Sequence, residues 1–187
     1  MRVIAGQFRS RLLTSLPGDA TRPTSDRLRE TLFNILAPRL QGCRFADLYA
    51  GTGAVGIEAL SRGAAHVYFA ENAPPALKSL RKNLTTLKIA GGYALEDRGV
   101  MPLLQQLAKK STALDLIYLD PPYEDEEAYT QTLGFLGAHP TLLAPDAMVI
   151  AEHATKSKFA LRETYGALTR TRLYKQGDAS LTFYTAN

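Results

Sequence analysis

Short apolar runs alternate with amphipathic segments over most of the chain. Five runs with the length and composition of buried strands lie at residues 44–49, 66–71, 92–95, 114–119 and 147–152. Four segments whose apolar residues repeat with helical spacing lie between them, at 54–62, 74–87, 99–110 and 126–137. This alternation predicts an α/β fold in which a mostly parallel sheet carries helices on both faces.

The N-terminal region departs from this alternation. Residues 2–13 predict two short strands joined by a turn near Gly6 or Phe8. A helix is expected to follow and to run to about Leu36, because its apolar positions have helical spacing and Pro38 then interrupts the pattern. We therefore expect the core to be preceded by a small β-hairpin and helix extension at residues 1–42.

The C-terminal region also breaks the alternation. Residues 168–176 and 180–185 have strand patterns and flank Gly177-Asp178, which is typical of hairpin turns. An antiparallel hairpin is therefore expected to close one edge of the sheet. Because the chain contains no linker or internal repeat, we expect a single domain over residues 1–187, with a Rossmann-like core at 43–187.

The composition is that of a globular protein with a sizeable core. Of the 187 residues, 45% are apolar and 21% are charged, and no apolar run is long enough to span a bilayer. No apolar segment typical of a secretory signal follows Met1, so we expect a cytoplasmic protein. The single Cys43 excludes an internal disulfide and a multi-cysteine zinc site, and the three histidines lack ligand spacing, so no metal is expected.

Positive charge is concentrated near the N-terminus. The net charge is +4, but residues 1–44 alone carry +5, from eight arginines, no lysine and three acids. The guanidinium fork binds phosphate oxygens in pairs, so this segment favours contacts with phosphate, although a solvated surface would also explain scattered arginines. Arg9, Arg11 and Arg22 are the candidate substrate contacts.

A glycine-rich sequence follows the first strand of the core. It has the spacing G-x-G-x-x-G, opens a predicted helix, and is followed at the end of the next strand by Glu71, twenty residues after Gly51. In loops that bind nucleotide-containing cofactors, such glycines permit a tight turn and close approach, and the acid accepts hydrogen bonds from ribose hydroxyls. The candidate cofactor-binding residues are Tyr49, Ala50, Gly51, Thr52, Gly53, Glu71 and Asn72.

Further acids bear on which cofactor is bound, because dinucleotide enzymes and S-adenosylmethionine enzymes share this glycine pattern. Asp47 lies four residues before Gly51, where dinucleotide folds usually carry apolar residues. A carboxylate at that position can hold the ammonium of a methionine moiety, or it can hold the amides of the loop itself. After the third strand, Asp97 or its neighbour Glu96 can accept a hydrogen bond from an adenine amino group.

A second motif, Asp120-Pro121-Pro122-Tyr123, follows the fourth strand of the core. Ligands of open α/β sheets bind beyond the carboxyl ends of the strands, so both motifs are expected at one edge. Asp120 and the Pro121 carbonyl can each accept an N–H of a base amine, which aims its lone pair at a methyl sulfonium. We therefore predict catalytic roles for Asp120, Pro121 and Tyr123, and base contacts for Pro122 and Tyr123. A rigid turn with a helix-capping acid is the alternative.

Two N-terminal stretches narrow the interpretation: Arg2-Val3-Ile4-Ala5-Gly6, and Thr21-Arg22-Pro23-Thr24-Ser25-Asp26-Arg27-Leu28-Arg29-Glu30 with Leu32-Phe33-Asn34-Ile35-Leu36. Together with the two motifs, they resemble the RsmD family of bacterial 16S ribosomal RNA guanine-N2 methyltransferases. The resemblance implies a seven-stranded class I methyltransferase sheet whose last strand is antiparallel, with S-adenosylmethionine as cofactor. It also implies a guanine of 16S RNA as target, in the small subunit or an assembly intermediate, and places Arg22 near the base pocket and the methionine end of the cofactor.

Three other functions stay open. Adenine-N6 DNA methyltransferases share the Asp-Pro-Pro-Tyr motif, so the motif alone does not decide the base. A dinucleotide-dependent oxidoreductase would explain the glycine loop and Glu71 but would leave Asp120 and Tyr123 without a role. A non-catalytic RNA-binding assembly factor would use the arginines and would have no affinity for a cofactor.

Overall fold

The computed structural model describes residues 1–15 and 23–186. Its helices are α1 (Pro23–Leu40), α2 (Ala54–Ser61), α3 (Pro74–Thr86), α4 (Val100–Lys109) and α5 (Glu126–Ala138), and a 3₁₀ turn follows at Pro140–Leu142. Its strands are β1 (Arg44–Leu48), β2 (His66–Ala70), β3 (Tyr93–Glu96), β4 (Leu114–Leu119), β5 (Leu143–Ala154), β6 (Thr164–Tyr165), β7 (Leu168–Gln176) and β8 (Ala179–Ala186). The strands and helices predicted for the alternating region are therefore confirmed. Within the described part of the chain, no helix has the length and apolar character needed to cross a membrane.

The strands form one sheet in the order β3-β2-β1-β4-β5-β8-β7-β6. Strands β1 to β5 run parallel, and β8 lies antiparallel between β5 and β7. The predicted C-terminal hairpin is confirmed. Its second strand, β8, pairs with β5, and its first strand, β7, lies on the far side of β8 from β5. The resemblance implied seven strands; the additional one in the described residues is β6, a two-residue strand that pairs with β7.

Each face of the sheet carries its own layer of helices. On one face, Phe45 of β1 and Phe69 of β2 belong to a buried cluster that includes residues of α1, α2 and α3. On the other face, Ala46 and Leu48 of β1 belong to a second cluster with residues of α4 and α5. Strands that are buried on both sides have nearly continuous apolar sequences, which is why the sequence predicted them well.

The N-terminal segment forms a short hairpin with little strand structure. Arg2 and Leu12 make a single antiparallel bridge. The backbone N–H of Val3 donates to the carbonyl of Arg11 at 2.9 Å. The two predicted strands are thus reduced to one bridge, because the segment pairs only with itself and is held in place by contacts with α2.

A buried acid of α2 makes the main contacts with this segment. Glu58 has no exposed surface. Its carboxylate accepts the backbone N–H of Ile4 at 2.8 Å and of Ala5 at 3.0 Å, and the Nε–H of Arg62 at 2.7 Å. The Ser61 hydroxyl also donates to the carbonyl of Ala5 at 2.5 Å. The hairpin is therefore tied to the helix that follows the glycine loop.

Helix α1 continues past Pro38, so the prediction that this residue ends the helix was wrong. A proline inside a helix removes one backbone hydrogen bond and crowds the preceding turn. Leu36 and Leu40, however, are buried against the sheet. Their burial outweighs the local penalty, and the helix ends at Leu40, just before Gly42 adopts a left-handed conformation with φ of 76°.

Candidate active site

The order of the strands reverses around β1, and both sequence motifs lie at that point. β1 has β2 on one side and β4 on the other. Leu48 pairs with Leu119, and the backbone N–H of Asp120 donates to the carbonyl of Leu48 at 3.4 Å. The glycine loop after β1 and the Asp-Pro-Pro-Tyr turn after β4 therefore emerge side by side, as the rule for open α/β sheets predicts.

The glycine loop is a tight turn with an unusual backbone. Tyr49, Gly51 and Gly53 have φ values of 64°, 56° and 79°. A Cβ on Gly53 would lie 2.1 Å from Cδ1 of Leu80, because the loop packs directly on α3. A Cβ on Gly51 would meet no atom within 4 Å. Gly51 therefore offers bare backbone to a ligand, while Gly53 is needed for packing.

Asn83 of α3 supports this loop from below. The residue is 1% exposed, and its Nδ2 donates to the carbonyl of Thr52 at 2.9 Å. The same amide group donates to the carbonyl of Thr14 at 3.1 Å and accepts the backbone N–H of Thr14 at 2.7 Å. One buried side chain thus joins the glycine loop to the N-terminal segment, a contact that no local sequence pattern indicates.

Asp47 lies beneath the loop with 1% of its surface exposed. Its Oδ2 accepts the backbone N–H of Gly56, in the first turn of α2, at 2.7 Å. Burial raises the pKa of the Asp47 carboxyl to about 8, against the lowering effect of the Gly56 N–H and with a smaller contribution from the charge of Glu71. A cation placed beside this carboxyl would favour its charged form. Asp47 therefore holds the loop–helix junction and also lines the cavity that the two motifs share.

Glu71 binds the loop on its other side. Its Oε2 accepts the backbone N–H of Gly51 at 2.8 Å. Its Oε1 accepts the backbone N–H groups of Asn72 at 2.8 Å and Ala73 at 2.7 Å, at the start of α3. The ribose contact stays a prediction, and the observed hydrogen bonds join Glu71 to the glycine loop and to the start of α3.

Two adjacent acids, Glu96 at the end of β3 and Asp97 just after it, each have an arginine partner. Glu96 accepts from the Nε and Nη2 groups of Arg98 at 2.7 and 2.9 Å, and these hydrogen bonds lower the pKa of its carboxyl. Asp97 is exposed and pairs with Arg81 at 2.8 Å. Which of the two acids contacts an adenine ring stays a prediction.

The Asp-Pro-Pro-Tyr turn leads into α5, and a different acid caps that helix. Asp125 accepts the backbone N–H of Ala128 at 3.0 Å, and its own N–H donates to the carbonyl of Pro122 at 2.8 Å. The helix-capping role that was the alternative for Asp120 is therefore taken by Asp125. Asp120 is half-buried and lines the cavity.

Both motifs open onto one cavity of about 540 Å³, a volume typical of small-molecule sites. The predicted residues that line it are Asp47, Tyr49, Ala50, Gly51, Thr52, Asp120 and Tyr123. Predicted site residues that are described but lie outside this lining are Gly53, Glu71, Asn72, Asp97, Pro121 and Pro122. Arg9 and Arg11 are exposed on the N-terminal hairpin, and Arg22 lies outside the described residues.

The cavity is also lined by residues that neither motif contains. Glu152 lies near the end of β5, Lys156 lies in the turn that follows this strand, and Tyr118 lies on β4. Glu152 shared the signal that identified Asp47 and Asp120, since it too is an acid at the carboxyl end of a central strand. Arg29 had no such signal, because α1 reaches the cavity only through tertiary packing.

Acids outnumber bases among the charged residues of this lining. The acids are Asp47, Asp120, Glu152 and Asp178, and the bases are Arg29 and Lys156. Arg29 is 5% exposed and donates from Nη2 to the carbonyl of Arg2 at 2.7 Å. The lining is thus better suited to a cationic ligand than to an anionic one.

Cys43 and two of the histidines are held by burial, hydrogen bonding or ring stacking. Burial raises the pKa of the Cys43 thiol to about 11, so this residue is not an activated nucleophile. His153 bonds through Nε2 to the Thr182 hydroxyl at 2.8 Å, and the His139 ring stacks on Phe135. Across residues 1–15 and 23–186, no group of three or more His, Cys, Asp or Glu side chains is placed to hold a metal ion.

The chain is similar to named methyltransferases over most of its length. The model of a family described as conserved hypothetical protein 95 matches residues 1–185. "Putative rRNA methyltransferase YlbH" of Bacillus subtilis (strain 168) is 35% identical over 184 residues, which cover 98% of this chain and 98% of that protein. "Ribosomal RNA small subunit methyltransferase D" of Haemophilus influenzae is 37% identical over 153 residues, which cover 81% of this chain and 78% of that protein.

Solved structures show the same likeness in three dimensions. "Putative methyltransferase yhhF from Escherichia coli" has a TM-score of 0.84 and 32% identity to this chain. The match covers 100% of this chain and 98% of the other. The expected fold class therefore agrees with a related structure, and the antiparallel C-terminal hairpin agrees with the sheet order described above.

Proposed function

We propose that this chain methylates 16S ribosomal RNA with S-adenosylmethionine as methyl donor. The premise is that the chain belongs to the family described as conserved hypothetical protein 95. The target group is the exocyclic N2 of one guanine. The observation that carries the proposal is the single cavity onto which the glycine loop and the Asp120–Tyr123 turn both open. The names of the relatives support rRNA as substrate, and the resemblance to the RsmD family supports guanine N2.

The residues of the glycine loop fit the cofactor. Gly51 offers backbone without a side chain, and the lining has more acids than bases, which suits a ligand that carries a sulfonium and an ammonium. S-adenosylmethionine, when bound, supplies an electrophilic methyl group. Asp47 is assigned to the ammonium, Glu71 to the ribose hydroxyls, and Asp97 or Glu96 to the adenine.

The Asp-Pro-Pro-Tyr turn is assigned to the base. Asp120 accepts one N–H of the guanine amino group and the carbonyl of Pro121 accepts the other, which aims the nitrogen lone pair at the methyl carbon. Tyr123 stacks on the base plane beside Pro122. Once methylated, the amino nitrogen is cationic and strongly acidic and passes a proton to Asp120 or to water, so Asp120 need not be a strong base.

The N-terminal hairpin is assigned to the RNA backbone. Arg9 and Arg11 are exposed there and can bind phosphates, and Arg22 is assigned to the same substrate. The target guanine has to leave its stack to reach Asp120, as enzymes that modify bases generally require. Specificity would then come from RNA shape and from neighbouring parts of the small subunit.

A direct test uses tritiated S-adenosylmethionine with purified small subunits and with naked 16S RNA, both lacking bacterial modifications, followed by nucleoside analysis. Label in N2-methylguanosine is the expected result. Label in N6-methyladenosine would support methyl transfer to an exocyclic amino group but would show that the target base is adenine and not guanine. Absence of label together with absence of cofactor binding in calorimetry would overturn the assignment as a methyltransferase.

The role of Asp120 is tested by Asp120→Ala in the same assay. Transfer should fall by about 100- to 1000-fold while calorimetric affinity for S-adenosylmethionine changes little, because Asp120 is assigned to the base. Asp115→Ala is the matched control, since Asp115 lies at the opposite end of β4 and accepts the backbone N–H of Arg44 at 2.7 Å. Loss of cofactor binding in Asp120→Ala would contradict the assignment.

A further inference from the structure

Glu152 lies at the end of β5, where three tyrosines converge on it. Its Oε1 accepts the Tyr123 hydroxyl at 2.7 Å, and its Oε2 accepts the hydroxyl of Tyr118. Its backbone carbonyl accepts the Tyr129 hydroxyl at 2.8 Å. These contacts join the turn that carries Tyr123 to two neighbouring strands and to α5.

The anchor of this arrangement is rigid. Tyr118 is 3% exposed on β4, and burial together with the nearby charges of Glu152 and Asp120 raises the pKa of its hydroxyl well above the usual value. The hydroxyl is therefore a permanent donor at physiological pH. Because Leu119 pairs with Ala151, continuation of the register by one residue sets Asp120 beside Glu152.

The end of this arrangement at the cavity is the Tyr123 ring. This residue is half-buried at the cavity, and its hydroxyl is tied to a carboxylate that the β-sheet holds in place. A hydrogen bond to an ionised acceptor is stronger and more directional than one between neutral groups. Glu152 thereby sets the orientation of the ring relative to Asp120.

We propose that Glu152 is a positioning residue for methyl transfer, which acts by fixing the Tyr123 ring on which the target base stacks. The inference rests on the proposed function, because it requires a base in this cavity. A reacting nitrogen misplaced by about 1 Å can lower a rate on the order of a hundredfold. Loss of the carboxylate should therefore lower kcat for RNA while leaving the cofactor in place.

The test compares Glu152→Ala, Glu152→Gln, Tyr123→Phe and the double variant Glu152→Ala/Tyr123→Phe in the tritium assay. Glu152→Ala and Tyr123→Phe should each lower kcat by about 10- to 100-fold. Glu152→Gln should recover part of this loss, because an amide can still bond to both hydroxyls. The double variant should be no slower than the slower single variant, because both single changes break the same link.

Two further measurements and a control variant separate positioning from a purely structural role. Calorimetric affinity for S-adenosylmethionine and the urea midpoint should stay close to those of the wild type in Glu152→Gln and Tyr123→Phe. Glu163→Ala is the control, since Glu163 is exposed at the sheet edge and pairs with Arg170. Normal kcat in Glu152→Ala, or losses that multiply in the double variant, would overturn the positioning role alone. Absence of any transfer by the wild type would overturn the proposed function and this role with it.

Discussion

The buried carboxylate of Glu58 offers a sharp test of how the N-terminal hairpin is held. Its three hydrogen bonds, at 2.7, 2.8 and 3.0 Å, go to Arg62, Ile4 and Ala5. Glu58→Ala removes the acceptor for all three donors. We expect the hairpin to be partly released from α2, which still binds Ala5 through Ser61, and the whole domain to lose stability.

The size of the effect follows from the burial of the carboxylate. Glu58 has no exposed surface, and its partner Arg62 is 14% exposed at the side chain. Removing one partner of such a buried pair usually lowers the free energy of unfolding by about 3–5 kcal/mol. With a urea dependence of roughly 2 kcal/mol per molar, the unfolding midpoint should fall by about 1.5–2.5 M.

The assay combines urea unfolding with limited trypsin digestion. Trypsin should cut Glu58→Ala at Arg9 and Arg11 faster than it cuts the wild type, because the released hairpin is accessible. Glu127→Ala is the matched control: it makes the same change in a helix at an exposed acid, whose partner Gln131 donates at 2.7 Å. Its unfolding free energy should change by no more than about 0.5 kcal/mol. Equal midpoints for the two variants, or an unchanged digestion rate in Glu58→Ala, would show that Glu58 does not hold the hairpin.

Three further predictions concern the site and its surroundings. Replacing both Arg9 and Arg11 by alanine should raise KM for RNA and reduce the slope of log affinity against log salt by about 2, measured by filter binding; an unchanged slope would remove them from the RNA interface. Burial raises the pKa of Asp47 to about 8, so folding favours its protonated form, and the resulting stabilisation is full below about pH 4 and is lost as pH rises to 8. The unfolding free energy of the wild type should therefore fall over this range relative to that of Asp47→Asn, and parallel curves of unfolding free energy against pH would contradict this. Gly53→Ala places a Cβ 2.1 Å from a buried leucine at a residue whose φ is 79°, and it should lower the free energy of unfolding by about 2–5 kcal/mol. Gly134→Ala, at a helical position where no atom lies within 4 Å of the new Cβ, should be neutral or stabilising, and similar melting temperatures for the two variants would contradict the role of Gly53 in packing.

Local patterns predicted most of the fold. The strands and helices between residues 44 and 154 could be placed because buried parallel strands and amphipathic helices have distinct periodicities. The C-terminal hairpin could be placed from Gly177 and the strand patterns on either side of it. The end of α1 could not, because burial of Leu40 outweighs a helix-breaking proline and burial depends on distant residues.

The candidate site, like the fold, was predicted only in part from the sequence. The glycine loop and the Asp120 turn were predicted together, since each motif is contiguous in sequence and parallel strands end at a common edge. The position of β8 between β5 and β7 was decided by pairing between strands and not by the turn alone.

The α/β class, the two motifs and their common edge follow from local sequence patterns, because they depend on residues close together in the chain. The hydrogen bond between Tyr123 and Glu152, twenty-nine residues apart, and the one between Ala5 and Glu58, fifty-three residues apart, are visible only in the folded chain. Such contacts depend on strand register and helix packing, which are set by the burial of all the elements at once. Short-range patterns therefore identify the reactive residues, whereas their supporting contacts emerge only when the sheet and its two layers of helices are assembled.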